Sequence, residues 1–399
     1  MRVIDTRDRD GRNIDPALGT LTGEGSQQHV EKVPAPRMPH DGADAPSQAI
    51  RQEAEPSYYG APLLKEPVWR WYIPAYFFVG GVAGAAAALG GAAQLALGGG
   101  AVERRRGLAL RGEEQLVRKC RMIAAGGAVL SSALLIADLG KPTRFLNMLR
   151  VFRPTSPMNM GTWILSAFGI AAGASTVAHV VPLSRSIRRA GDAAAVAAGV
   201  MGLPLCTYTG VLIANTAVPV WQGTRRSLPV LFAASGASGA AGLLELWPPG
   251  GRGDVVTRRF ALIGKSLEIA LSEVFQREAD VVPRVGRPLR TGISAALWRA
   301  SQALSAAGLA ATLLSRRGST TRRVAGALSV LGSLSLRFAV VRAGHASARD
   351  PHATSAQQRA GRGARDVVTE KDRAGSSRPA LRAEGASATL GRGERGQHP

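Results

Sequence analysis

Few residues in this sequence combine an ionisable side chain with apolar surroundings, and those few bound the chemistry open to the chain. Asp138 ends the apolar run 121–139. A carboxylate there can titrate and still reach water, so Asp138 is a candidate for proton transfer, with pairing to Lys141 or Arg144 as the alternative. Glu245 lies late in the run 227–247, and Glu268 lies inside the run 259–275, FALIGKSLEIALSEVF. Acids at membrane depth are costly and tend to be kept for a role, so both are candidates for a proton path. For Glu268 the alternative is a pair with Lys265, three residues earlier. His179, at the end of the run 161–181, reads as an interfacial structural histidine.

The same inventory excludes a good deal. Cys120 and Cys206 stand far apart, whereas an iron–sulfur or zinc motif needs several closely spaced ligands. Of the six histidines only His179 lies in an apolar run, and a bis-histidine haem needs two. Neither GxxxxGK[ST] nor a strand-bounded GxGxxG is present, which argues against ATP-driven transport and a nicotinamide site. With no haem or iron–sulfur cluster of its own, the chain must hand electrons to a partner if it handles them at all.

The elements that must position these groups are apolar helices. Hydrophobic residues make up 45% of the 399, concentrated between Pro74 and Val341 and built mainly from Ala, Gly, Leu and Val. Eight runs, 74–98, 121–139, 161–181, 194–216, 227–247, 259–275, 292–314 and 323–341, are candidate spans, most near the roughly 20 residues that cross a 30 Å hydrocarbon layer. Only 5% of residues are aromatic, so these helices should approach through small side chains. The sixth run carries Lys265, Glu268 and Glu273; it is either a polar helix shielded by neighbours or an amphipathic surface helix, which would leave seven spans. The fold expected is an all-α membrane protein of about eight transmembrane helices in two four-helix bundles. Residues 1–56 are expected to be a disordered extension, 57–341 the transmembrane domain, and 342–399 a disordered Arg-rich tail.

Tyr58, Tyr59, Trp69, Trp71, Tyr72 and Tyr76 gather around the start of the first run, as an interfacial aromatic belt would. The net charge of +22 is carried by Arg in short loops and in the tail, a pattern of topology and lipid-headgroup contact rather than of nucleic-acid binding. The loops after the first, third, fifth and seventh runs hold more Lys and Arg than the others, which places them in the cytoplasm and both termini on the outer face.

The stretch from Ala137 to Gly161 carries the densest signals. Gly140 suits a left-handed helix end, Pro142 prevents continuation, and Ser156-Pro157 restarts a helix. Between them Phe145, Leu146, Leu149 and Phe152 alternate with Arg144, Arg150 and Arg153, an amphipathic segment suited to the membrane surface.

DLGKPTRFLNMLRVFRPTSPMNMGTW, from Asp138 to Trp163, resembles the signature of the NrfD and polysulfide-reductase (PsrC-like) membrane-subunit family. YYGAPLLKEPVWRWYIPAYFFVGGVAGAAAAL resembles that family's first helix with its lead-in, and YTGVLIANTAVPVW, from Tyr208 to Trp221, its fourth. The similarity runs roughly from Tyr58 to Val341 and is strongest up to Trp221. It implies a haem-free anchor subunit of a respiratory electron-transport complex in the bacterial inner membrane, exchanging electrons and protons with the quinone pool. Menaquinone or ubiquinone would be the bound substrate. The implied partners are a ferredoxin-like iron–sulfur subunit and, often, a molybdopterin catalytic subunit, with no nucleic acid involved. Tyr208 would then hydrogen-bond the quinone headgroup, with Asn215 on a similar face seven residues on. Lys141 and Arg144, which match the motif residue by residue, would stabilise negative charge on the headgroup or dock an acidic partner surface. One departure is that Ile73 to Leu89 holds only Tyr76 besides apolar and small residues, where some members place a polar or histidine side chain. Two other readings compete: a proton- or ion-coupled transporter, which Asp138, Glu245 and Glu268 would serve, and a structural anchor whose quinone site has decayed. Internal repeats would favour the transporter, and none is evident between the halves.

Overall fold

The structure, a computed structural model of the chain, describes residues 14–15, 20–21, 62–99, 107–181, 184–315 and 319–360. In the unit Met1–Pro56 the described part is a two-residue antiparallel pair, β1 (Ile14–Asp15) with β2 (Thr20–Leu21), Ile14 opposite Leu21. The rest of the extension expected over 1–56, and residues 361–399 of the expected tail, lie outside the described residues.

The second unit is helical among its described residues. Among the described residues eight long helices each overlap one of the eight apolar runs, several starting well before it: α1 (Tyr72–Gly99), α2 (Gly107–Leu139), α4 (Pro157–Val180), α5 (Arg185–Ala214), α7 (Leu228–Leu246), α8 (Gly251–Asp280), α10 (Gly292–Leu314) and α11 (Thr320–Ala348). Short helices α3 (Pro142–Met148), α6 (Pro219–Gly223), α9 (Pro283–Gly286) and α12 (Pro351–Arg359) fill connections, with a 3-10 turn at Arg287–Leu289. Six helices, α1, α2, α4, α5, α7 and α11, are long and apolar enough to cross a membrane. The boundary expected at Val341 falls inside α11, which runs on to Ala348 and is followed by α12.

Helices α1, α2, α4 and α5 pack on one another, as do α7, α8, α10 and α11; α1 and α5 against α7, and α1 against α11, join the two groups. Small residues set the distances. A β-carbon on Gly84 of α1 would stand 2.5 Å from the Gly202 carbonyl oxygen of α5, so these two backbones touch directly. The lead-in to α1 returns to the end of α11, where Arg349 donates to both carboxylate oxygens of Glu66 at 2.7 and 2.8 Å.

Polarity is distributed inside out. Val129, Ile170, Val200, Leu203 and Ile263 are exposed, while Ser235, Glu245, Lys265, Glu268, Ser333 and Arg337 are buried. An apolar surrounding suits the first set, and only a shielded interior can hold the second. Helix α8 shows the rule within one element: Lys265 and Glu268 face inward against neighbouring helices, and Ile263 and Leu267 face out. The aromatic belt is only partly a belt. Trp71 is exposed, but Tyr76 is buried and Trp69 packs inside; Tyr58 and Tyr59 lie outside the described residues.

Candidate functional site

The site is organised by the break after α2. The helix ends at Leu139, Gly140 takes φ +71°, and Pro142 opens α3 in its first turn. Ser156 caps α4 through Oγ, accepting from the Asn159 amide at 3.4 Å, with Pro157 as its first residue. Asn159 then holds the connection together. Its Nδ2 donates to the carbonyls of Met148 (2.7 Å) and Val151 (2.9 Å), and its Oδ1 accepts from the Arg153 amide (2.7 Å). One side chain thus satisfies three backbone groups that no helix can reach. Outside this bracket, Leu146 and Phe152 are exposed, and Phe152 meets Trp163 edge-on at 5.8 Å.

The bracket fixes the first turns of α4 against α5. A β-carbon on Gly161 would lie 1.8 Å from Cζ of Tyr208, so the phenol fills the space that any side chain at 161 would need. Tyr208 projects into a cavity walled by Ile73, Tyr76 and Phe77 of α1, Leu135, Asp138 and Leu139 of α2, Met148 of α3, Met158 and Thr162 of α4, and Leu212 of α5. Trp69 closes it, stacked on Trp221 at 5.3 Å and edge-on to Phe77 at 6.2 Å. The polar groups in this apolar wall are two phenols, one hydroxyl and one carboxylate. The Tyr76 hydroxyl adjoins that of Tyr208, yet it is buried and makes no hydrogen bond among the described residues.

A second polar cluster lies between α7, α8, α10 and α11. Lys265 donates to Glu245 at 2.5 Å and to Thr312 Oγ1 at 2.5 Å, and Thr312 reaches the other Glu245 oxygen at 3.0 Å. Glu268 accepts from Ser305 Oγ at 3.1 Å, and its Oε1 has no partner among the described residues. Arg337 lies 3.8 Å above the Phe232 ring and donates to the Phe232 carbonyl at 2.6 Å. Nearer the ends of α8 and α11, Arg322 pairs with Asp254 at 3.2 Å.

Residues 63–247 match the family model described as polysulphide reductase, NrfD. This stretch is similar to the NrfD family. No curated protein matches the chain's sequence. The NrfD region runs from the lead-in of α1 through α7 and contains every residue of the Tyr208 cavity; Lys265, Glu268, Thr312 and Arg337 lie beyond it.

Within the NrfD region the structure brings together two of the residues expected at the site, Tyr208 and Asp138, and leaves the others apart. Asn215 does not share the Tyr208 face: α5 ends at Ala214, and Asn215 is its exposed C-cap, donating to the Val211 carbonyl at 2.9 Å. Lys141 and Arg144 are exposed beside the cavity rather than in its wall. Arg144 donates to the Leu139 carbonyl at 3.2 Å, and the cation whose field reaches Asp138 is Arg70. His179 is held between the Ser175 carbonyl (2.9 Å) and Asp192 (3.0 Å), a carboxylate it shares with Arg121. Outside the matched region the alternative reading of Glu268, a pair with Lys265, does not hold: Lys265 turns to Glu245 instead. Sequence reasoning missed Tyr76 and Thr162 as cavity groups. Thr162 stands four residues after Met158 and beside Gly161, a spacing that could have flagged it. Among the described residues no group of three or more His, Cys, Asp or Glu could hold a metal ion.

Proposed function

We propose that this chain is the haem-free, quinone-reactive membrane anchor of an iron–sulfur oxidoreductase, binding the headgroup of a menaquinone or ubiquinone between Tyr208, Tyr76, Thr162 and Asp138. One observation carries this reading: an apolar cavity within the region that matches the NrfD family holds two adjoining phenols, one without a partner among the described residues, together with a carboxylate at a helix end. Phenols donate to the headgroup oxygens while their rings pack against its faces. Asp138, half-buried at the end of α2, takes up a proton and passes it to water. The partner's iron–sulfur clusters supply the electron acceptor that this chain lacks, and the partner docks where Lys141 and Arg144 are exposed. The room between the walls is about 60 Å³, so the headgroup enters as the unbranched, adaptable side chains of Met148 and Met158 give way.

In this reading α8 and α10 also cross the membrane, making eight spans. The inward face of α8 is matched by polar partners, its outward face is apolar, and Glu66 before α1 pairs with Arg349 after α11, as an even number of crossings requires. The Arg-rich loops after α1, α4, α7 and α10 face the cytoplasm, leaving the Tyr208 cavity and both termini toward the outer face. Glu268, with one free oxygen, is the better proton carrier of the second cluster, because Glu245 is already neutralised by Lys265.

The test is purification of the full chain with its bound subunits in mild detergent, followed by reduction of the partner's clusters by a short-chain quinol. Tyr208→Phe and Asp138→Asn should each lower turnover by about 100-fold with subunit composition unchanged. Full turnover in both variants would support a decayed site, and a lone chain that transports ions would overturn the anchor reading.

A further inference from the structure

A cleft of about 740 Å³ opens among the 3-10 turn at Arg287–Leu289, the first turn of α10, the last turns of α11 and the start of α12. Arg284, Arg287, Arg342 and Arg349 line it with His345 and His352, against one carboxylate, that of Asp350. Two of these guanidiniums are already engaged: Arg284 binds Asp350 at 2.6 and 3.2 Å, and Arg349 binds Glu66. Arg287 and Arg342 are exposed and have no ion pair among the described residues. His345 reaches Glu66 through Nδ1 at 3.4 Å, while its buried Nε2 in the cleft wall has no partner among the described residues. Helix α10 starts in the same wall without a side-chain cap, so its first amides add partial positive charge. Ile293, 67% exposed in that first turn, sets an apolar side chain beside the basic cleft.

From this geometry we infer that the cleft is a binding site for a phosphate anion, held by Arg287 and Arg342 in the forked contacts guanidinium makes with phosphate oxygens. The anion can come from an acidic phospholipid headgroup or from free phosphate, and both would meet the same donors. This inference is independent of the quinone reading, since the cleft shares no residue with the Tyr208 cavity.

The experiment is native mass spectrometry of the full chain, delipidated in mild detergent and titrated with cardiolipin, phosphatidylcholine or inorganic phosphate. Cardiolipin should bind in preference to phosphatidylcholine, and the double variant Arg287→Gln, Arg342→Gln should weaken it about tenfold. The control pair Arg188→Gln, Arg189→Gln, exposed at the start of α5, should leave it unchanged. Equal melting temperatures for the two double variants separate lost binding from lost folding. Displacement of cardiolipin by millimolar phosphate would support the site and assign it to the free anion; retention would support it as a lipid site. Equal affinity for phosphatidylcholine, or equal weakening in both double variants, would overturn it.

Discussion

Gly161 and Tyr208 occupy one volume between them: the phenol's Cζ and Oη stand 1.8 and 2.0 Å from where a β-carbon on residue 161 would be. The glycine in the α4 segment and the tyrosine in the α5 segment, separate in sequence, are therefore two halves of one packing solution. Alanine is the better helix former by about 1 kcal/mol, so only the clash can make it harmful here. Gly161→Ala should be destabilising in the native background and much less so alongside Tyr208→Ala, with a coupling of about 0.5–3 kcal/mol. Thermal melting of the four proteins in one detergent measures it. An equal cost in both backgrounds would contradict the shared volume.

Tyr76 offers a cleaner separation of stability from function. Its buried hydroxyl lacks a partner among the described residues, and an unsatisfied buried group costs about 1–3 kcal/mol. Tyr76→Phe should leave the melting temperature unchanged or raised while increasing the KM for quinol. A fall in melting temperature with unaltered KM would make Tyr76 a packing residue.

The Glu245–Lys265–Thr312 cluster is fully buried, so breaking it and removing it are different operations. Lys265→Met strands a carboxylate and should cost about 3–5 kcal/mol, whereas the double variant Lys265→Met, Glu245→Gln should recover most of that loss. Melting temperatures of both variants decide the matter. A double variant as unstable as the single one would show that the pair is held for its charge.

Asp350 lies beyond the crossing helices and caps α12 through the His352 amide at 3.0 Å. Burial pushes its carboxyl up, but the hydrogen bond and charge of Arg284 and the amides of His352 and Ala353 outweigh this and hold it below the ordinary range. A depressed carboxylate contributes stability above its unfolded value, near 3.9, and loses it as pH falls through the lower folded value. Helix α12 should therefore be docked at neutral pH and loosen below about pH 4. Pepsin cleavage within 350–359 should rise on acidification in the native chain and be high throughout the acid range in Asp350→Asn. Identical profiles would remove Asp350 as the clamp.

Much of the scaffold is legible in the sequence because its signals are local. Gly140, Pro142, Ser156 and Pro157 mark breaks and restarts whose causes lie within a few residues, and they appear where expected. The apolar runs likewise foretell the long helices. What does not show is anything set by facing. Tyr76 reads as interfacial because an aromatic near a helix start looks the same whether it meets lipid or a neighbouring helix. Asn215 reads as sharing a face with Tyr208 only if α5 continues, and the helix stops one residue short. Lys265 has an acid three residues away, yet a partner 20 residues distant wins because α7 lies against that side of α8. Asn159 carries no local mark of the three backbone groups it binds.

The central claim is a quinone headgroup between Tyr208, Tyr76, Thr162 and Asp138, and the most direct measurement is photolabelling of the purified complex with an azidoquinone, followed by peptide mapping. The label should fall on peptides of α1, α4 and α5 that include Tyr76, Thr162 and Tyr208, and should be lost with excess unlabelled quinone and reduced in Tyr208→Phe. Competable labelling confined to helices that do not line this cavity would contradict the account.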